Sequence, residues 1–323
     1  MNKPTRRSVL KTGLLIACCG ACYGISHARL ARAQSMHGTA LPVKEIGDGV
    51  FVFAGVPEMM SDANEGGICN VGFIVGDEAV AVIDSGGTAA EGWALVAAIR
   101  AKTGKPVRYL INTHMHPDHI FGNAAFEGTG AIIVGHHNLP RALASRGDYY
   151  LQSYRESLGA AMMADIRIVP PTRLIADEEE LDLGNRKLTL KAWKPAHTDN
   201  DLSVFDQRSQ IIFTGDLCFI DHLPTMDGSL LGWIAQLEAL KNIKAKFAVP
   251  GHGPVPSPWP QALEAESRYF DVLARDIRKA IADGVPMAEA VKSAGLGERG
   301  NWRLFDEYNE RNATAAFAEL EWE

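Results

Sequence analysis

After its first 33 residues, the sequence lacks any uncharged apolar run long enough to cross a membrane. A helix that spans a bilayer core of ~30 Å needs about 20 predominantly apolar residues. The apolar stretch from Thr12 to Ile25 is too short, and every later hydrophobic segment is interrupted by charge. We therefore expect no transmembrane helix in the mature chain.

Positive charge is also scarce. The 323 residues include 32 Lys and Arg against 39 Asp and Glu. Six of the basic residues lie within the first 33 positions, and without them 26 oppose 39 acidic residues, a formal charge near −13. Nucleic-acid binding needs a basic surface, so a nucleic-acid partner is disfavoured. With 46% hydrophobic and 22% charged residues, the sequence predicts one large globular domain rather than a disordered or fibrous chain.

Cysteines are few, and most lie near the N-terminus. Cys18, Cys19 and Cys22 fall within the first 33 residues, which leaves Cys69 and Cys218 in the rest of the chain. Two cysteines in an exported protein can form a disulfide, but only if their Cα atoms lie within ~7 Å. The sequence leaves this pairing open and favours two buried thiols.

Residues 1–33 have the organisation of an export signal. Arg6 and Arg7, in the segment TRRSVLK, resemble a twin-arginine motif, and an apolar stretch and the small-residue site Ala31-Arg32-Ala33 follow. We expect cleavage after Ala33 and a periplasmic mature chain, residues 34–323. A basic amphipathic tail is one alternative. A lipoprotein with its lipid on Cys18 is another, but it would leave fewer than the ~7 apolar residues that such signals need.

The strongest motif is the segment Thr113–His119, which follows a predicted strand, Val107–Ile111. It places His114, His116, Asp118 and His119 within six consecutive positions. Imidazole nitrogens and carboxylate oxygens are ligands that suit zinc. The alternative is a polar, histidine-rich turn in which Asp118 only caps a helix. Against it, His197, Asp216 and His252 each follow another apolar run, where α/β folds place functional residues.

With Asp84 ahead of it, this motif order resembles the metallo-β-lactamase superfamily over about residues 43–254. The resemblance implies an α/β fold, the αββα sandwich, with residues 255–323 forming a helical C-terminal extension. Trp302, Phe305, Phe317 and Trp322 favour packing of this tail on the same domain.

The resemblance also implies a two-zinc ligand set. One zinc would be held by His114, His116 and His197 and the other by Asp118, His119 and His252, with Asp216 between them. Asp84 would orient the loops of the site rather than bind metal. Zinc lowers the pKa of a coordinated water from 15.7 to about 7, which provides a hydroxide between the two metals that attacks an acyl bond. Asp118 would hold the remaining proton and pass it to the leaving group.

Finer features resemble the quinoprotein relay system zinc metallohydrolases, relatives of a metallohydrolase encoded with sulfur-oxidation genes. They are the segment 196–205, the run from Asp216 to Trp233 and the C-terminal residues 312–323. This resemblance implies a periplasmic quinoprotein dehydrogenase as a partner.

The substrate is a small molecule whose class the sequence restricts only in part. No Lys or Arg occurs between Leu217 and Trp233, which predicts a site with no cation for the carboxylate of a β-lactam. The segment 196–201 also departs from the GHTxGH pattern of glyoxalase II, whose thioester chemistry remains open. We expect esters and thioesters to be preferred, with His222, Asp227 and Ser229 as candidate pocket residues; a structural role is the alternative for His222.

Three other functions fit the same sequence. The first is a class B type β-lactamase, and the second is a mononuclear iron enzyme of the persulfide-dioxygenase type. That enzyme would use His114, His116 or His119 with Asp216. The third is a non-catalytic partner of quinoprotein dehydrogenases, which the complete ligand set disfavours because a carrier needs no open metal position.

Overall fold

The computed structural model describes residues 39–323, so the predicted signal segment and the alternative lipid site at Cys18 lie outside the described residues. Two β-sheets form its centre. In the first sheet, strands β1 to β4 are antiparallel neighbours and β4 to β7 run parallel. Its strands, in spatial order, are β1 (Lys44–Gly47), β2 (Val50–Phe53), β3 (Val71–Val75), β4 (Val80–Ile83), β5 (Val107–Ile111), β6 (Ile132–His136) and β7 (Arg173–Ile175).

The second sheet has six strands in the order β13-β12-β11-β10-β9-β8. Only β11 and β12 are parallel, and the other neighbours are antiparallel. The strands are β8 (Glu178–Asp182), β9 (Lys187–Ala192), β10 (Leu202–Asp206), β11 (Ile211–Phe219), β12 (Phe247–His252) and β13 (Ser257–Pro258).

The helices lie on the outer faces of the sheets and over one edge. They are α1 (Ala89–Lys102), α2 (Pro117–Ile120), α3 (Leu139–Ser153), α4 (Arg155–Met163, interrupted at Gly159), α5 (Leu230–Leu240), α6 (Glu264–Ala282), α7 (Met287–Ala290) and α8 (Phe305–Leu320). Within residues 39–323, none of these helices combines the length and the hydropathy that a membrane span requires.

Buried side chains of both sheets form the central layer of the core. Ile74 and Ile111 of the first sheet share one hydrophobic cluster with Leu190, Val204 and Phe213 of the second. Every residue of β11 is buried, because this strand is covered on both faces. The outer face of each sheet packs against helices. Leu95 and Ile99 of α1 cover the first sheet, and α5, α6 and α8 cover the second. The predicted αββα sandwich is therefore confirmed.

The helical tail packs on the second sheet. Trp302, Phe305 and Phe317 are buried in the cluster that covers its outer face. Trp322, which was expected to anchor the tail as well, is 84% exposed and contributes nothing to this core. It lies beyond Leu320, the last residue of α8.

Candidate metal centre

The candidate ligands converge because they lie at the same edge of the two sheets. Asp84 follows β4, and the loop after β5 carries His114 and His116 into the short helix α2. β4 and β5 are parallel, so their carboxyl ends meet at one edge. The second sheet supplies the remaining candidates at its facing edge: His197 between β9 and β10, Asp216 within β11, and His252 at the end of β12.

Three histidines form the first group with Asp216. Nε2 of His197 lies 2.9 Å from Nδ1 of His116 and 3.3 Å from Nε2 of His114. Oδ2 of Asp216 lies 3.3 Å from the same His197 nitrogen. These four side chains bring their ligand atoms close enough to share one metal ion.

His119, His252 and Asp118 form the second group with Asp216. Nε2 of His119 lies 3.1 Å from Oδ1 of Asp216 and 3.4 Å from Oδ2 of Asp118. Nε2 of His252 lies 3.2 Å from the same Asp118 oxygen. Nε2 of His252 also lies 3.6 Å from Oδ2 of Asp216, the oxygen that faces His197. Asp216 therefore stands between the two groups and contacts histidines of both.

Each of the five histidines has one ring nitrogen that points away from the centre of the site, the outer nitrogen, and each outer nitrogen has an acceptor. The other ring nitrogen, the inner one, therefore points towards the centre. His116 faces the Asp227 carboxylate, and His197 and His252 face backbone carbonyls. If each outer nitrogen carries the hydrogen, the inner nitrogen presents a lone pair to its neighbours. Several lone pairs within about 3 Å of one another repel unless a cation lies between them.

Asp84 supports this arrangement from behind the site. Its Oδ1 accepts from the Thr113 backbone N–H at 2.8 Å, and its Oδ2 accepts from the Thr113 hydroxyl at 2.8 Å. The same Oδ2 lies 2.8 Å from Nδ1 of His119. The Thr113 hydroxyl in turn lies 3.1 Å from Nδ1 of His114. One buried carboxylate thus orients two histidines, and its backbone φ of 57° is a left-handed conformation held by these bonds.

The charges of the site favour a cation. Burial alone would raise the pKa of Asp216, but His119 and His252 hold it well below its usual range. Burial likewise opposes a charged His252, yet Asp216 and Asp118 raise the pKa of this imidazole to about 9. For His197, burial dominates and lowers the pKa to about 3, so this imidazole is neutral. The carboxylates thus favour positive charge beside neutral imidazole donors.

Two unpaired atoms complete the evidence that a metal fits. Nε2 of His119 and Oδ1 of Asp216 are buried without a hydrogen-bond partner. An unsatisfied buried polar atom costs about 1–3 kcal/mol, and a coordinated ion would satisfy both. The residues of both groups therefore suit a metal ion.

A cavity of about 780 Å³ opens over the candidate ligands. Asp118, Asp216 and His252 lie at its floor, together with His116. Tyrosines and methionines form much of its wall. They include Tyr149, Tyr150 and Tyr154 from the α3–α4 region, Tyr308 from α8, Met59 and Met60.

The three candidate pocket residues have different positions. His222 lines the cavity, with its ring 4.8 Å from that of His252 and its Nδ1 2.7 Å from the Leu223 carbonyl. Burial lowers its pKa to about 4, so the imidazole is neutral at pH 7. Asp227 also lines the cavity, beside His116. Ser229 does not contact it: its hydroxyl accepts from the Gly232 N–H and caps α5.

The expectation of a site without a cation was wrong. Arg146 of α3 and Arg311 of α8 both line the cavity. Arg146 donates to Oδ2 of Asp227, and Arg311 lies 3.7 Å from Oδ1 of the same carboxylate. Despite burial, His116 and Arg146 hold the pKa of Asp227 well below its usual range. No local motif marks either arginine, because both come from helices far in sequence from the ligands.

The two cysteines of the described residues are free and buried. Sγ of Cys69 donates to the backbone carbonyl of Asp118 at 2.8 Å, and Sγ of Cys218 lies 3.7 Å from that of Ala262. Burial raises the pKa of both thiols well above its usual range. Cys69 is also close enough to Asp118 and His119 to belong to a potential ligand group, a position that the sequence did not indicate.

Comparison with known proteins agrees with this geometry. A sequence model of the Metallo-beta-lactamase superfamily matches residues 64–252, more than half of the chain. Two solved structures have the same fold. A metallo-beta-lactamase from Pontibacter korlensis has a TM-score of 0.59 and 19% identity, covering 72% of this chain and 99% of that one. TMB-1 has a TM-score of 0.56 and 18% identity, covering 72% and 98%.

Curated relatives match over shorter regions. The acyl-coenzyme A thioesterase MBLAC2 of Bos taurus is 30% identical over 134 residues, 38% of this chain and 43% of that protein. The beta-lactamase-like protein 2 homolog of Caenorhabditis elegans is 25% identical over 157 residues, 49% of this chain and 46% of that protein. The chain thus spans less than half the length of these relatives.

Proposed function

Because the chain belongs to the metallo-beta-lactamase superfamily, we propose that it is an exported zinc-dependent hydrolase of ester, thioester or related acyl bonds. The observation that carries the proposal is the set of five histidines whose inner nitrogens face Asp118 and Asp216. The similarity to an acyl-coenzyme A thioesterase supports acyl hydrolysis over other reactions of the fold.

The two groups of side chains divide the metal-binding roles. His114, His116 and His197 would hold one zinc, and Asp118, His119 and His252 the other. Asp216 would contact both, because its carboxylate lies between histidines of the two groups. When bound, the zinc pair supplies Lewis acidity and lowers the pKa of a coordinated water from 15.7 to about 7.

Two residues of the chain would then act on the substrate, and a third would orient a candidate metal ligand. Asp118 lies at the floor of the cavity, where its carboxylate accepts a proton and returns it to the departing alcohol or thiol. His222 is neutral and its outer nitrogen is held by the Leu223 carbonyl, so Nε2 accepts a hydrogen bond from the substrate. Asp227 keeps His116 oriented through Nε2.

The export route and the cellular partner are part of the same proposal. The twin-arginine motif and the site at Ala33 support a periplasmic protein, and the subfamily resemblance supports an association with quinoprotein dehydrogenases.

Metal analysis and a substrate panel test the function together. The purified mature protein is analysed for zinc and iron, and its turnover is measured on thioesters, esters, lactones, β-lactams and phosphodiesters. We expect two zincs per chain and the highest kcat/KM on a thioester or ester. Iron with oxygen consumption would instead indicate a dioxygenase, and β-lactams as the best substrates would indicate a β-lactamase.

A further inference from the structure

Two arginines reach the cavity from separate helices. Arg146 comes from α3 and Arg311 from α8, and both approach the Asp227 carboxylate. Their side chains remain 41% and 58% exposed, whereas that of Asp227 is 12% exposed. The two arginine side chains are therefore accessible to solvent, whereas the carboxylate that they contact is largely buried.

The charges of this cluster do not balance. One carboxylate faces two guanidinium groups, and it also accepts from Nε2 of His116. A guanidinium has five N–H donors, and the single carboxylate of Asp227 cannot accept hydrogen bonds from all the donors of two arginines. Arg146 and Arg311 thus keep donors and a net positive charge for a further anion.

Apolar and aromatic side chains lie in the cavity beside the arginines. Met59 and Tyr149 are 48% and 66% exposed, and the hydroxyl of Tyr308 donates a hydrogen bond to Sδ of Met59 at 2.9 Å. These side chains line the same cavity as the arginines. A molecule that fills it therefore meets guanidinium groups, apolar and aromatic side chains, and the candidate metal ligands.

We propose that Arg146 and Arg311 bind an anionic group of the substrate, so that the preferred substrates are acyl thioesters or esters that carry a carboxylate or phosphate. Planar guanidinium groups suit both anions because they bind them through paired hydrogen bonds. The apolar and aromatic lining, which includes Met59 and Tyr308, would accommodate the acyl chain. The proposal rests on the proposed acyl hydrolysis and specifies the substrate class of the same site.

Matched butyryl thioesters test this selectivity. The thiol parts are N-acetylcysteamine, which is neutral, 3-mercaptopropionate, which has a carboxylate, and coenzyme A, which has phosphates. We expect wild-type kcat/KM to be at least about tenfold higher for one of the anionic substrates. The carboxylate and phosphate substrates identify which anion is preferred.

Substitution of the arginines separates recognition from structural support. Arg146→Gln and Arg311→Gln should lower kcat/KM for the anionic substrate by about 10- to 100-fold, mainly through KM, and change the neutral one by less than about threefold. Lysine at either position should restore part of the loss. Arg275→Gln, an exposed arginine paired with Asp276 on α6, is the matched control. Equal losses on both substrates, or no wild-type preference, would overturn the proposal.

A binding measurement distinguishes this proposal from the proposed function. Thioether analogues, with a methylene in place of the carbonyl, cannot be hydrolysed, and their affinity for the metal-loaded protein can be measured by calorimetry. The anion site is supported if the wild type binds the anionic thioether more tightly than the neutral one and both glutamine variants lose this preference. This result holds even if no thioester is hydrolysed, and in that case only the hydrolase proposal fails. Equal binding of neutral and anionic thioethers contradicts the anion site.

Discussion

A Cβ atom on Gly251 would lie 1.8 Å from Oδ1 of Asp216. The backbone of β12 thus passes directly against a carboxylate of β11, and only glycine leaves that space free. Asp216 is the candidate that faces both ligand groups, so its position depends on a residue that binds no metal itself.

Gly251→Ala should therefore displace the Asp216 carboxylate. We expect metal content to fall and kcat/KM to drop at least about tenfold, as for other changes that misplace a metal ligand. Metal analysis and kinetics on the same preparations check this. Gly104→Ala is the matched control, because a Cβ there meets nothing within 4 Å. Wild-type metal content and turnover in Gly251→Ala would show that Asp216 has room to adjust.

Asp216→Ala removes both oxygens that face the two groups. We expect loss of at least one metal and of activity together, by more than the roughly 10- to 100-fold that follows loss of a supporting residue. Zinc stoichiometry and turnover measure the two effects, with the exposed Asp271→Ala as control. Full metal content and full turnover in Asp216→Ala would rule out its bridging role.

His222→Ala should separate substrate contact from metal binding. The ring lines the cavity and stacks on that of His252, but its Nδ1 is held by a backbone carbonyl. We expect zinc content near wild type and a loss of turnover of about three- to tenfold, the value of one neutral hydrogen bond. The exposed His137→Ala serves as control. Unchanged turnover would leave His222 with a structural role.

The buried Glu91 carboxyl group should make the free energy of unfolding depend on pH. Burial raises its pKa to about 8 from the usual 4.5, while its Oε2 accepts from the Gly87 N–H at 2.8 Å. The folded state therefore holds a proton that the unfolded state releases between pH 4.5 and 8. The free energy of unfolding should decrease as pH rises through this window, by up to about 1.4 kcal/mol per pH unit.

Denaturant unfolding of the metal-loaded protein from pH 5 to 9 measures this slope. Glu91→Gln should flatten it, because the amide cannot release the proton, whereas the exposed Glu289→Gln should leave it unchanged. The same slope in wild type and Glu91→Gln would assign the pH dependence to other groups.

The signal segment predicts the mature N-terminus. Arg6, Arg7 and the small-residue site at Ala33 lead us to expect an exported chain that begins at Gln34. Intact-mass measurement of the periplasmic protein gives the start directly, and Arg6→Lys combined with Arg7→Lys should retain the precursor in the cytoplasm. A chain that begins at Cys18 with an added lipid mass would identify a lipoprotein instead.

Much of the fold could be predicted because its signals are local. The sequence predicts strands at 71–75, 107–111 and 173–175 and a helix at 89–102, and β3, β5, β7 and α1 occupy these ranges, since each is a mainly apolar run with clear ends. The sequence does not predict β8, because EEELD is mostly acidic and three of its five residues are exposed. The sequence pattern groups residues 173–175 with the strands of the second half of the chain, yet β7 pairs with β6 in the first sheet. Strand pairing decides which sheet a strand joins.

The sequence by itself determined the candidate ligands, because they occupy short motifs at strand ends and parallel strands bring those ends together. Only the tertiary structure decided the charge of the cavity. Arg146 and Arg311 meet at Asp227 because α3 and α8 pack over the same edge of the sandwich. The tertiary structure also shows that Ser229 caps a helix. Local patterns report how a segment folds, whereas the surroundings of a side chain depend on segments that are distant in sequence and adjacent only after packing.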